Sequence, residues 1–127
     1  LLIIKDLVKQ LDFSIEIVGC PIVREKNGLA MSSRNSLLST DDREKASFIW
    51  QQLEFCVQEY ANYTPTQLKD IVVSKFLKET SFELIYIEIV NRETLMSIQN
   101  WSDAREVCVF CAARIGGVRL IDNVRLF

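Results

Sequence analysis

The sequence predicts an α+β fold: helices packed on a small, mostly antiparallel three-stranded sheet, preceded by the last helix and strand of a βαβ unit. Three observations predict it. Two capped helical patterns are followed by three runs rich in β-branched or aromatic residues, two of them joined by Gly116-Gly117. A helical pattern and a short apolar strand pattern stand ahead of these. The chain has 127 residues, 49% of them hydrophobic, which is enough for a real core and excludes a disordered chain.

The elements follow in order. Ile3, Ile4, Leu7, Val8 and Leu11 recur at helical spacing with Lys5, Lys9 and Gln10 between them, which predicts a surface helix with one buried face. Ser14 to Gly19 alternates and carries isoleucine and valine, the pattern of a strand. Cys20-Pro21 ends that pattern, because proline donates nothing to a sheet ladder. Ile22 to Asn35 is mixed and polar, and reads as an irregular connector.

Ser39 caps a helix expected to run from about Thr40 to Tyr60, with Asp41 and Asp42 at its dipole-favoured start. Its inner face is Ala46, Ile49, Leu53, Cys56 or Val57, and Tyr60. Thr64, Pro65 and Gln67 form a capping box with proline at the first helical position. The helix they open buries Leu68, Ile71, Val72, Phe76 and Leu77 and stops near Thr80. Phe82 to Val90 reads as a central strand, Thr94 to Ile98 as one helical turn, and Val107 to Arg114 and Val118 to Val124 as the remaining strands. Glu83 and Glu88 fall on opposite faces of a regular strand, a poor acid–base pair.

Charge and cysteine usage exclude several classes of function. A net charge of −2 with dispersed basic residues gives no nucleic-acid footprint. No apolar run approaches membrane-spanning length, and the opening Leu1-Leu2-Ile3-Ile4 is too short for a signal-peptide core. The spacing of Cys108 and Cys111 matches redox and zinc motifs, but residues three apart on a strand point to opposite faces. With no histidine in the chain, a zinc site is not expected. The cysteines read as buried small hydrophobes of a reducing cytosol.

The connector carries the chemistry. Gly28-Leu29-Ala30-Met31-Ser32-Ser33-Arg34-Asn35 joins a permissive glycine, two adjacent hydroxyls and a guanidinium ahead of a helical stretch. Hydroxyls, backbone amides and a bidentate guanidinium suit a phosphate chain, and Met31 is an apolar surface for a purine. Arg24 and Lys26 add positive potential nearby, although alone they read as solvated charges. Ser-Ser-Arg-Asn by itself is also an ordinary turn sequence, so a longer segment must decide.

The stretch Pro21 to Asn35, with Leu38-Ser39, Tyr86-Ile87-Glu88-Ile89-Val90, Thr94-Leu95, Ala112-Ala113-Arg114 and Arg119-Leu120-Ile121-Asp122-Asn123, closely resembles the pantothenate synthetase family, the pantoate–β-alanine ligases. The resemblance implies the nucleotidyltransferase superfamily: a Rossmann-like domain with a histidine-containing HIGH-type motif, and a later loop that grips ATP phosphates. Met31-Ser32-Ser33-Arg34 occupies the position of that loop. By the same resemblance Val23 and Met31 contact adenine, while Ser32, Ser33 and Arg34 hold phosphate oxygens and act in catalysis. The implied substrates are ATP, pantoate and β-alanine, with Mg2+ required and no metal ligand assigned to this chain. Neither nucleic acid nor membrane is an implied partner. A cytoplasmic location and a homodimer are implied.

Three regions are then expected: 1–20 as the C-terminal end of the Rossmann-like ATP-binding domain, 21–35 as a phosphate-binding connector, and 36–127 as a C-terminal lid domain. The histidine motif is expected upstream, so this chain alone is expected to be inactive, and its helix and strand to present an orphaned apolar face. Alternatives are a non-catalytic interaction module, or the phosphate-loop domain of another nucleotidyltransferase-superfamily protein. A synthetase relative would carry lysines in the loop and a basic surface for RNA.

Overall fold

The computed structural model describes all 127 residues, Leu1–Phe127. It is an α+β arrangement: helices α1 (Leu2–Gln10), α2 (Thr40–Lys45), α3 (Phe48–Glu59) and α4 (Pro65–Lys78), then strands β1 (Phe82–Asn91), β2 (Val107–Ile115) and β3 (Val118–Arg125). The three strands form one antiparallel sheet in the order β1-β2-β3. Gly116 and Gly117 both take positive φ, 54° and 78°, as a tight hairpin demands.

Helices α3 and α4 cover one face of the sheet. Ile49, Leu53 and Cys56 of α3 and Leu68, Val72 and Phe76 of α4 meet the residues of β1 and β2 that point their way, among them Ile87, Val109 and Ile115. Leu53 is fully buried, a position whose burial is worth about 2 kcal/mol. Cys56 and Cys111 lie in this core, where burial pushes both thiols up to about 12. Cys108 and Cys111 fall on opposite sheet faces by register, and all four cysteines are free.

The caps match their sequence signatures. Ser39 Oγ accepts from the Asp42 amide at 3.1 Å, and the Thr64–Gln67 box is complete. Elsewhere the structure differs from expectation for identifiable reasons. The single helix expected from Thr40 to Tyr60 breaks at Ala46-Ser47. There the Ser47 hydroxyl donates to the Glu44 carbonyl at 2.8 Å, a local bond that competes with the helical ladder. Cys56, not Val57, is the buried choice, and Leu77 lies 78% exposed at the end of α4.

β1 is an edge strand and β2 the central one. A bulge between Leu84 and Tyr86 shifts the register of β1. The extra residue returns Glu83 and Glu88 to one face, opposite Arg114 and Phe110 respectively. Each is already paired, with Arg114 at 2.7 Å and Lys69 at 2.8 Å. Thr94 to Ile98 is a hydrogen-bonded turn in place of a helical one, returning the chain to β1 through the Val90–Ser97 bridge.

The largest difference is at the N-terminus. α1 forms, but none of its residues is buried, and Ile3, Ile4, Leu7 and Leu11 are all more than half exposed. Residues 14–19 pair with nothing and form no strand. A strand needs a neighbour for its backbone donors and acceptors, and this chain supplies none there.

Candidate functional site

The connector folds as a small closed hairpin. Arg24 and Ala30 bridge antiparallel, the Met31 amide donates to the Val23 carbonyl at 2.9 Å, and the Glu25 amide donates to the Leu29 carbonyl at 2.8 Å. The turn between them is Glu25-Lys26-Asn27-Gly28, closed by the Gly28 amide on the Glu25 carbonyl at 2.9 Å. Gly28 sits at φ 91°, and a Cβ there would lie 2.0 Å from Trp50 Cδ1. Glycine is therefore required twice, for backbone conformation and for close approach.

Three side chains tie the hairpin down. The Arg24 guanidinium donates to both oxygens of Asp122 on β3, at 2.5 and 3.1 Å, and to the Gly28 carbonyl at 3.0 Å. Its Cζ also lies 3.7 Å from the centroid of the Trp50 ring. Asn35 Nδ2 donates to Glu25 Oε1 at 2.9 Å and to the Ala30 carbonyl at 3.1 Å. Arg43, next to α2's C-terminal end, grips the other side of Glu25, with Nη2 2.9 Å from Oε1. Hydrogen bonds from Arg43, then Asn35, hold the Glu25 carboxyl below its ordinary value. Arg24 is thus a half-buried strut, not the solvated cation expected from its surroundings in sequence, and its charge is neutralised by Asp122.

The next three residues are different in kind. Ser32, Ser33 and Arg34 are exposed, and the Arg34 guanidinium has neither an ion pair nor a hydrogen bond within the chain. Ser32 Oγ accepts from the Arg34 amide at 3.2 Å, which opens a short 3-10 turn over Ser33–Leu37. The Arg34 amide is therefore consumed locally and is not free for a ligand, whereas the Ser33 hydroxyl makes no hydrogen bond within the chain.

Met31, Ser32 and Arg34 line a cleft of about 290 Å³ between the connector, α3 and the start of β3. Arg119, Asp122 and Asn35 line it as well. Val23 and Ser33 lie outside this lining, Val23 being 65% exposed. Asn35 is 4% exposed, and its Oδ1 has no hydrogen-bond partner, an unusual state for a buried carbonyl oxygen. Asn35 and Trp50 escaped the sequence reading as site residues. Asn35 bonds Glu25 and Ala30 only because the hairpin closes, and Trp50 reaches Gly28 from α3.

The cleft fits an anion. Its one carboxylate, Asp122, is cancelled by Arg24, which leaves Arg34 as an unpaired cation of the lining; Arg119 lines it as well, but its place opposite Arg114 in the ladder puts its side chain on the other sheet face from Asp122. No three His, Cys, Asp or Glu side chains come together to hold a metal ion. The donor set therefore does not fit a metal held by this chain's own carboxylates. No helix is long and apolar enough to cross a membrane.

Comparison with known proteins is consistent across sequence and structure. The family model described as Pantoate-beta-alanine ligase matches residues 1–125. The pantothenate synthetase of Bacteroides thetaiotaomicron is 41% identical over 125 residues, covering 98% of this chain and 44% of that protein. That of Clostridioides difficile is 38% identical, covering 97% and 44%. Among solved structures, pantothenate synthetase from Thermus thermophilus superposes with a TM-score of 0.91 at 31% identity, over 99% of this chain and 45% of that one. Pantoate-beta-alanine ligase from Francisella tularensis, complexed with β-γ ATP and β-alanine, gives a TM-score of 0.58 at 29% identity, over 97% and 38%. The chain thus spans less than half the length of these relatives.

Proposed function

This chain belongs to the pantoate-beta-alanine ligase family, and on that premise we propose that it is the ATP-gripping part of an enzyme joining pantoate to β-alanine. In the proposed reaction the pantoate carboxylate attacks the α-phosphorus of ATP, giving pantoyl adenylate and pyrophosphate. The β-alanine amine then displaces AMP to give pantothenate. No protein nucleophile is needed, so the protein's work is placement and stabilisation of charge on the departing pyrophosphate.

We assign that stabilisation to Arg34, Ser32 and Ser33, with Met31 and Val23 toward the adenine. The observation that carries the reading is the contrast inside one connector: Arg24 is locked in an ion pair, while Arg34 stands free on the cleft. A guanidinium held exposed on a turn fixed by Asn35 and Glu25 is a preorganised anion contact. Mg2+, for which this chain offers no set of carboxylate ligands, would supply neutralisation of phosphate charge. Residues 1–20 are proposed as the end of a Rossmann-like domain, 21–35 as the phosphate connector and 36–127 as the lid, in a cytoplasmic enzyme that works as a homodimer.

Arg34→Ala in the full-length ligase is expected to slow single-turnover adenylate formation about a hundredfold or more, the loss typical of one preorganised donor. An unchanged adenylation rate would refute the assignment. The 127-residue chain alone, lacking any histidine, is expected to make no pantothenate when given ATP, pantoate and β-alanine.

A further inference from the structure

The chain has six asparagines, and Asn27 alone is followed by glycine. The others precede Ser36, Tyr63, Arg92, Trp101 and Val124. The follower matters because the side-chain amide of an asparagine lies within ring-closing reach of the next residue's backbone nitrogen. Closure is opposed by the follower's side chain, and Gly28 has none.

The turn adds features of its own. Lys26 and Asn27 are exposed at the tip of the connector hairpin, where water has free access. The Leu29 amide donates to Asn27 Oδ1 at 3.2 Å, the bond of an Asx-turn. That donor polarises the Cγ carbonyl and stands where negative charge would develop on Oδ1 if a nucleophile added to Cγ. The Gly28 amide donates to the Glu25 carbonyl at 2.9 Å, so this bond must open to free the nitrogen. It closes a surface turn, the kind of bond that opens without global unfolding. Asn35 differs on every count: it is buried, a serine follows it, and its Nδ2 is held by Glu25 and the Ala30 carbonyl.

We propose that Asn27-Gly28 is a site of spontaneous deamidation, at which the connector converts its own tip to aspartate and isoaspartate. The Gly28 nitrogen gives up its proton to hydroxide and attacks Cγ of Asn27, forming the C–N bond of a succinimide. The Cγ–Nδ2 bond breaks, and Nδ2 takes a proton from water and leaves as ammonia. A second water opens the imide. Cleavage at the side-chain carbonyl gives aspartate on the original backbone. Cleavage at the main-chain carbonyl gives isoaspartate, whose backbone runs through the side-chain methylene. Either product adds a carboxylate two positions from that of Glu25. Aspartate keeps an acceptor for the Leu29 amide. Isoaspartate lengthens the main chain between Glu25 and Leu29, which are tied at 2.8 Å, and so strains the seat of Leu29 in the core. None of this chemistry depends on phosphate binding by Arg34.

The test is incubation of the folded chain at neutral and at mildly alkaline pH. Peptide mass mapping then follows each asparagine, with chromatographic separation of the aspartyl and isoaspartyl forms. Asn27 is expected to convert about tenfold or more faster than Asn62, which is also exposed but precedes Tyr63. The rate should rise with pH, because the nitrogen must lose its proton. Asn27→Gln should abolish conversion at this position, since its longer side chain closes a less favourable ring. Asn27→Asp should keep the thermal midpoint of the fresh chain, while the separated isoaspartyl form melts lower. Asn27 intact in the folded chain but converted in the urea-unfolded one overturns the proposal, because the turn then protects its own tip. Conversion at Asn62 as fast as at Asn27 overturns it as well. An isoaspartyl form that melts with the fresh chain overturns the strain placed on Leu29.

Discussion

The two ends of the connector use the same chemistry for opposite purposes. Residues 24–31 are closed on themselves, bolted to β3 through Asp122 and to α2 through Arg43, with Leu29 plugged into the core at 4% exposure. Residues 32–34, immediately after, expose hydroxyls and a guanidinium with no protein partner for the cation. Residue type alone does not separate the two arginines. What separates them is whether the fold delivers a carboxylate, and at Arg24 it does so from 98 positions away. The two arginines differ in what the fold supplies to them.

Substitutions can break that comparison. The largest effect should come from Arg24→Ala, which leaves Asp122 buried without its partner and strips the cation from the Trp50 ring. About 3 kcal/mol of stability should be lost, read from a denaturant midpoint. Arg34→Ala should stay within about 0.5 kcal/mol of wild type in the same assay, since an exposed side chain without partners holds nothing together. Equal destabilisation by both would erase the distinction between strut and grip.

Gly28→Ala comes next. The φ of 91° and the 2.0 Å approach to Trp50 should cost about 1–3 kcal/mol in backbone strain alone, with Trp50 forced from its place under Arg24. A Trp50 fluorescence spectrum unchanged in this variant would show that the turn relaxes without disturbing the strut.

The smallest effect concerns pH. Hydrogen bonds from Arg43 and Asn35 depress the Glu25 carboxyl below its ordinary value near 4.5. Its stabilising contribution is therefore fully present above that ordinary value, and is lost as pH falls through the depressed one. Midpoints measured from about pH 5 to about pH 2 should fall less steeply in Glu25→Gln than in wild type. Identical slopes would mean that Glu25 does not anchor the connector in solution.

Much of this was legible in the sequence where the cause is local. The Ser39 cap, the Thr64–Gln67 box, the Gly116-Gly117 hairpin and the three strands each rest on residues that are near neighbours in the chain. The connector was legible as an irregular segment presenting contiguous hydroxyls and a guanidinium, and Ser32, Ser33 and Arg34 are indeed exposed. The strand expected at Ser14–Gly19, the order of the sheet, the bulge at β1 and the role of Arg24 were not legible, because each depends on a partner distant in sequence or on a neighbour that this chain does not provide. The break at Ser47 was local yet missed, since a helical pattern continues across it and only the serine's bond to Glu44 interrupts the ladder.

The Arg24–Asp122 latch has a consequence for biosynthesis. Chains emerge from the ribosome N-terminus first, and Asp122 lies in β3, behind a hairpin that must close before that strand has a place to dock. The connector is translated early but gains its anchor on Asp122 only when β3 has arrived. The seating of the connector against the sheet is thus a property acquired late in synthesis, and a copy stalled short of β3 would lack it.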